Sequence, residues 1–309
     1  MATETYASDI SSWIEIKPPA DNDTEGCRDW FQTTSQSQVE WRVYLDNGQI
    51  SAEMFDPTVV RRRRPVCAPP FPLFEPKGPR WKPKETYDFK SILVPDGWIV
   101  GYFRGEFGGH LHWYGHDGAD SYKITSHNVV QFFGWLGSLY AIEGCSHLGI
   151  ADGSILRLER DRDDGRWTAV QVLDLDDAPY SVVERKSGSL LITLSKHIVE
   201  VRQDMAFRTI LDVSDSNVRW SHLYPKTSVL SADEQKLYIG MRQFVAELDI
   251  RSGMLRYLLP SLRFISRPDR GQLCCQAEER SYVEADKPMA ERSHNSVVSD
   301  PILTKKEGA

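Results

Sequence analysis

Gly137-Ser-Leu-Tyr-Ala-Ile-Glu143, Gly153-Ser-Ile-Leu-Arg-Leu-Glu159 and Trp167-Thr-Ala-Val-Gln-Val-Leu-Asp174 form a unit that the chain writes three times. The second copy reads Gly188-Ser-Leu-Leu-Ile-Thr-Leu194, Lys196-His-Ile-Val-Glu-Val-Arg202 and Phe207-Arg-Thr-Ile-Leu-Asp212. The third reads Gln235-Lys-Leu-Tyr-Ile-Gly-Met241, Gln243-Phe-Val-Ala-Glu-Leu-Asp249 and Met254-Leu-Arg-Tyr-Leu-Leu259. Each piece is short, rich in β-branched and aromatic residues, and bounded by turn residues, which is the pattern of a strand. Each copy therefore reads as the last three strands of a four-stranded antiparallel sheet. Leu139, Leu190 and Leu237 are 51 and 47 residues apart, a spacing that marks repeated supersecondary units.

Outward from this region the same texture continues. Val129-Val-Gln-Phe-Phe133, Tyr180-Ser-Val-Val183 and Lys226-Thr-Ser-Val-Leu230 precede the three copies and supply an innermost strand to each. Upstream, Phe89-Lys-Ser-Ile-Leu-Val94, Gly97-Trp-Ile-Val-Gly-Tyr-Phe103, His110-Leu-His-Trp-Tyr114 and Tyr122-Lys-Ile-Thr125 make a fourth, degenerate set. Val39–Leu45 and Gln49–Phe55 flank Asp46-Asn47-Gly48, and Asn-Gly between alternating apolar runs predicts a hairpin. The alternating piece Trp13-Ile-Glu-Ile16 is expected to pair with the last set and so cover an exposed strand edge. Leu262-Arg-Phe-Ile265 and Gln272-Leu-Cys-Cys-Gln276 around a Pro268-Asp-Arg-Gly271 turn are expected to begin one more set. No segment carries a sustained 3.6-residue period with caps, so helix is expected to be scarce.

Taken together, Asp233-Glu-Gln-Lys-Leu-Tyr-Ile239 and Ser187-Gly-Ser-Leu-Leu-Ile192 resemble the turn and second strand of blades in the β-propeller superfamily. The resemblance covers Phe89 to Gln276. It lacks the Trp-Asp ending and Gly-His opening of WD40 repeats and the paired glycines of kelch repeats, so it names no subfamily. It implies an all-β fold: a single propeller of six blades, five or seven being allowed, each a four-stranded antiparallel sheet. It also implies a central channel, loop-built faces, and function by binding or, in a minority of members, by metal-assisted hydrolysis at the channel mouth. The fold alone does not choose between these. The expected organisation is a propeller domain over residues 1–277 and a mobile polar tail over 278–309.

One stretch breaks the pattern. Arg61, Arg62, Arg63 and Arg64 are followed, from Pro65 to Pro83, by seven prolines among Phe71, Phe74 and Trp81. Prolines at this density cannot serve a sheet ladder, so residues 61–85 read as a long loop. Its aromatics predict that it packs on the body of the domain.

The bulk numbers narrow the function. Lys and Arg total 37 against 44 Asp and Glu, a net charge of -7, which excludes a nucleic-acid binder working by phosphate neutralisation and suits a basic protein partner. Cys27, Cys67, Cys145, Cys274 and Cys275 form no CxxC pair and read as reduced thiols. The first residues carry no basic-then-apolar leader and no stretch approaches a membrane span. The expectation is a cytoplasmic protein without a membrane partner.

Candidate chemistry centres on Gly108-Gly-His-Leu-His-Trp-Tyr-Gly-His-Asp117. On a strand His110 and His112 point to one face, where imidazoles can share a metal, with His116 in the turn beyond. Glu143, Asp152 and Glu184 are acidic but do not recur at matching positions, and Asp174 and Asp212 read as strand-terminating turn residues. No GxSxG elbow, phosphate-binding glycine loop or HExxH is present, and no cofactor is expected. Aromatic residues in turns, Trp135, Trp167, Trp220 and Tyr224, together with Arg61–Arg64 and Trp81, are the residue types that anchor protein interfaces. The expected function is therefore non-catalytic binding of a protein partner, most specifically as an immunity or antitoxin protein that occludes a toxic effector enzyme. The alternative is a metal-dependent hydrolase of lactonase or esterase type using His110, His112 and His116; a carbohydrate-binding role is a third.

Overall fold

The computed structural model describes residues 7–18, 34–55, 67–73, 89–147, 150–214 and 220–264, with residues 23, 26, 30 and 218 singly. Residues 265–309, with the expected tail over 278–309 and the second half of the expected additional set, lie outside the described residues, as do Arg61–Arg64 and Trp81.

The described residues form five antiparallel sheets, the blades of a β-propeller. Blade 2 comprises β5 (Phe89–Val94), β6 (Gly97–Phe103), β7 (Gly109–Tyr114) and β8 (Ser121–Thr125). Blade 3 holds β9 (Val129–Trp135), β10 (Ser138–His147), β11 (Ile150–Arg160) and β12 (Trp167–Asp174). In blade 4, β13 (Pro179–Glu184), β14 (Leu190–Leu194), β15 (His197–Val201) and β16 (Phe207–Asp212) follow in order. Blade 5 contains β17 (Thr227–Leu230), β18 (Lys236–Gly240), β19 (Val245–Asp249) and β20 (Leu255–Leu259). Blade 1 is the Asn47-Gly48 hairpin, β3 (Trp41–Asp46) and β4 (Gln49–Met54); Asn47 and Gly48 have φ of 50° and 82°, as the tight hairpin turn demands.

The blades stand side by side through their innermost strands: β5 packs on β9, β9 on β13, β13 on β17 and β17 on β3. The N-terminal segment joins two of them. β1 (Ala7–Asp9) pairs with β4 at the outer edge of blade 1, and β2 (Ile14–Ile16) pairs with β20 at the outer edge of blade 5. Between them Asp9 caps a short 3-10 turn by accepting from Ser11 N at 2.9 Å, Ile10 is buried, and the Trp13 ring meets Trp41 edge to face at 4.8 Å. The expected pairing of Trp13–Ile16 with the last blade is what the structure has.

The core lies between blades. Tyr140, Ile142 and Ile155 of blade 3 face Leu190, Ile192, Val199 and Val201 of blade 4, while Ile99 and Leu111 of blade 2 meet Val129, Ala141 and Leu158 of blade 3. Each Val, Leu or Ile side chain so buried contributes about 1.5–3 kcal/mol. The other face of blade 2, Val100 and Tyr102, is covered by Ala68, Phe71 and Leu73, so the described part of the proline-rich stretch packs on the domain as its aromatics predict. Two glycines set how closely blades approach. A Cβ on Gly109 would strike the backbone of His127 and Asn128, and one on Gly153 would strike Pro179 and the Asp177 carbonyl.

The described blades number five, at the lower end of the expected range. The Leu262-Arg-Phe264 piece is a 3-10 turn, not a strand. It follows Pro260, which has no N–H to give a ladder, Leu262 is exposed while Phe264 is buried, and the outer position of blade 5 is already taken by β2. No helix among the described residues is long and apolar enough to cross a membrane.

Candidate functional site

Strands that alternate in direction put the starts of the innermost strands and the turns between second and third strands on one rim of the blades. A polar cluster is built there, where blades 2 and 3 meet. Glu143, on β10 opposite Ser154 and next to the start of β9, accepts from Ser154 Oγ at 2.5 Å and faces His127 Nδ1 at 3.2 Å. The bond to Glu143 raises the His127 pKa above its ordinary value, against the opposing effect of burial. Glu143 is thus fully occupied in orienting the imidazole, and no described residue pairs with His127 Nε2. Beside it His147 Nε2 meets Glu106 at 2.6 Å, a link from blade 3 to the turn of blade 2. Burial, Asp152 and Glu106 all raise the Cys145 pKa, so this cysteine stays a protonated thiol instead of a nucleophile.

The rim continues across blades 4 and 5. Asp177, buried, accepts from Ser195 Oγ at 2.5 Å and from the Ala178 and Lys196 amides at 2.8 Å. It ties the loop before β13 to the turn after β14. The short helix Trp220–Leu223 leads into Tyr224, whose φ is 50°. That left-handed backbone is costly for an aromatic residue. The Tyr224 ring is 37% exposed, with the Arg242 guanidinium 4.6 Å and the Lys226 ammonium 5.3 Å from its centroid. Lys226 also bridges to Glu40 at 3.2 Å. The Tyr180 ring meets Tyr224 edge-on at 6.5 Å and its hydroxyl donates to the Ser221 carbonyl at 3.3 Å. Burial, with Tyr224, Asp177 and Cys145 around it, pushes the Tyr180 phenol far above its ordinary range, so it stays neutral.

Of the residues expected from sequence, Tyr224 is on this rim and accessible. Trp135 and Trp220, expected in exposed turns, are instead buried, Trp135 donating Nε1–H to the Gly188 carbonyl at 2.8 Å and Trp220 to the Tyr257 hydroxyl at 2.9 Å. An indole that finds an interior acceptor can bury its whole ring, and these two seal blade junctions. Trp167 is half-buried and donates to Asp96 at 3.0 Å. His110 and His112 do share a face, ring centroids 6.1 Å apart. His116 does not join them; its Nε2 lies 3.2 Å from the Pro95 carbonyl at the far end of the strand. His110 Nδ1 and His112 Nε2 are buried without a hydrogen-bond partner among the described residues. Burial, then His110 and Lys123, lower the His112 pKa to about 4, so it is neutral near pH 7. Among the described residues no group of three or more His, Cys, Asp or Glu is placed to hold a metal ion.

The His127–Glu143 pair was not legible beforehand. The two residues are 16 positions apart, His127 in the loop before β9 and Glu143 within β10, and only the blade topology brings them together.

No protein-family model matches the chain, and no curated protein does. Among solved structures, the chain is similar to a streptogramin B lyase at 16% identity and a TM-score of 0.34, over 57% of this chain and 60% of that one. It is also similar to the extracellular domain of a putative one component system from B. thetaiotaomicron at 12% identity and a TM-score of 0.39, over 80% of this chain and 29% of that one. An α-L-arabinofuranosidase from Lactobacillus brevis follows at 8% identity and 0.27, over 55% and 71%. The chain thus spans less than two thirds of the length of the first two. The class, a β-propeller, rests on this protein's own sheets.

Proposed function

We propose that this propeller is a non-catalytic protein-binding module that seats its partner on the rim around Tyr224. The observation that carries this reading is Tyr224 itself, an accessible aromatic ring held in a strained backbone between Arg242 and Lys226. Strain of this kind, of order 1–3 kcal/mol, persists where the surroundings enforce it and concentrates at binding sites. Tyrosine and arginine are also the side chains that most often dominate interface energy. The specific form proposed is an immunity or antitoxin protein that occludes the active site of a toxic effector enzyme, supported by the net charge of -7, which suits a basic partner. The test is affinity capture from the source lysate with a tagged chain and with a Tyr224→Ala/Arg242→Ala variant. A stoichiometric protein recovered by the wild type and lost by the variant is expected; no partner, or equal recovery by both, overturns the reading.

A second reading, metal-dependent hydrolysis, is favoured by two buried nitrogens of His110 and His112 that have no partner among the described residues. They offer two of the ligands that a tetrahedral zinc site needs, and Lys123 and Arg104 beside them oppose a cation. Stoichiometric zinc, manganese or calcium that disappears in His110→Ala/His112→Ala would support it. Metal-free wild-type protein after loading would dismiss it.

A further inference from the structure

The face of blade 2 that points away from blade 3 gathers hydrogen-bond donors and positive charge. Residues directly opposite one another in a sheet share a face, and the register sets His110 opposite Tyr102 and Lys123 opposite His112. Tyr114, two positions along β7 from His112, lies on it as well. Ile99 and Leu111 belong to the other face, against blade 3. His110, His112 and Arg104, which follows β6, are partly open to solvent, and Lys123 is exposed. Among the described residues none gives the Lys123 ammonium or the Arg104 guanidinium an ion pair, and none bonds to either imidazole. No carboxylate of the blade answers these cations. Its four strands contain no Asp or Glu, and in its turns Asp96 is taken by Arg160 and Trp167 and Glu106 by His147. The Tyr102 and Tyr114 hydroxyls bond to each other at 2.8 Å.

We infer that this face binds a phosphate group, free or carried by a small monoester, through His110, His112, Lys123 and Arg104. His110 Nδ1 and His112 Nε2 are enclosed, and an enclosed N–H without an acceptor is rarer than an unused lone pair. In the neutral rings the proton therefore sits on the other nitrogen, making His110 Nε2–H and His112 Nδ1–H the donors offered outward. The ring centroids are 6.1 Å apart with the planes 79° to each other, a gap that two N–H···O bonds of about 2.9 Å to one oxyanion can span. A phosphate monoester brings three acceptor oxygens and a charge of about -1.5 to -2 at neutral pH, which matches two cations and two further donors. A carboxylate brings one charge and two oxygens. The cations that oppose a metal ion at these imidazoles favour an anion there, and an arginine fork suits phosphate geometry. Tyr114, stacked on His112 with centroids 6.0 Å apart and 5.7 Å from the Phe71 ring, offers a wall to the organic part of an ester. The site goes beyond the protein-binding reading and uses neither Tyr224 nor Arg242, so each stands or falls alone.

The test is calorimetric titration of the full chain, stripped of metal and dialysed, at pH 7 with orthophosphate and with phenyl phosphate, alongside NMR of the imidazole nitrogens. A Kd below about 1 mM for at least one of them is expected, with the His110 and His112 signals moving and that of His127 staying. Lys123→Gln and Arg104→Gln should each weaken binding on the order of 10-fold, and Lys196→Gln on blade 4 should leave it unchanged. Tighter binding of phenyl phosphate assigns the site to an ester, and equal binding assigns it to the phosphate group alone. No binding of either at about 10 mM overturns the proposal, as does binding that needs added zinc or that neither Lys123→Gln nor Arg104→Gln weakens. Should Arg104→Gln fail to fold, Lys123→Gln decides, since that side chain is exposed.

Discussion

At the scale of single residues, what distinguishes this protein is how its rim histidines are held. His127 has Nδ1 fixed by Glu143, and Glu143 has its second oxygen fixed by Ser154. The carboxylate favours the imidazolium, so the folded pKa lies above the value of about 6.5 that a free imidazole shows. The sign of the linkage follows. The pair stabilises the fold fully at pH below the free value, and that contribution fades as pH rises through the raised one. A histidine titration by NMR should place His127 above the free value, and Glu143→Gln should return it toward that value. An unchanged His127 titration in Glu143→Gln would show that another group sets it. His112 behaves in the opposite sense: burial keeps it neutral down to about pH 4.

At the scale of the blade, the repeat extends from apolar pattern to ion pairs. Glu200 on β15 accepts from Arg185 at 2.9 Å, Arg208 at 2.9 Å and Ser189 at 2.8 Å. Glu247, at the matching place on β19, meets Lys236 at 3.1 Å and Arg256. Burial alone would raise both carboxyl pKa values, and the hydrogen bonds together outweigh it, leaving both below the ordinary range. Their stabilisation is therefore present above the unfolded carboxylate pKa and lost as pH falls through the folded one. Glu200→Ala removes the nearer of the two carboxylates around Arg185, leaving Glu234 at 3.6 Å, and should cost on the order of 1.5 kcal/mol in urea unfolding at pH 7, with the difference from wild type shrinking in acid. A cost that stays constant down to pH 3 would contradict the ion-pair account. This is also the scale at which the sequence reads best. Leu190-Leu-Ile-Thr-Leu194 or Lys236-Leu-Tyr-Ile-Gly240 announce themselves, because one face of a buried strand must be apolar. Trp135 and Trp220 do not, since a tryptophan in a turn reads as exposed until the neighbouring blade supplies an acceptor for its N–H. The His127–Glu143 pair is equally hidden, because a loop residue and a strand residue 16 positions apart meet only once strand order is known.

At the scale of the whole propeller domain, the N-terminal segment does the work of a latch. β1 and β2 are each 3 residues long, too short to be stable alone, yet they cover the outer edges of blades 1 and 5. Ile10 and Trp13 between them are buried. Burying two such side chains contributes about 1.5–3 kcal/mol for Ile10 and a comparable or larger amount for Trp13. Deleting residues 1–16 also bares β20, Leu255-Arg-Tyr-Leu-Leu259, as an open edge of mostly apolar residues, and removes the ring that packs on Trp41. The truncated chain should therefore unfold at lower urea by roughly 4 kcal/mol or more and aggregate on concentration, since an uncovered apolar edge templates pairing with other chains. Because the loss is of strands added to existing edges, a synthetic peptide spanning residues 6–18 should restore stability in trans, as strand addition does elsewhere. Scrambling the Trp13–Ile16 order in that peptide should abolish the rescue. A truncated chain as stable as the full one would mean that blades 1 and 5 hold together through β3 and β17 alone.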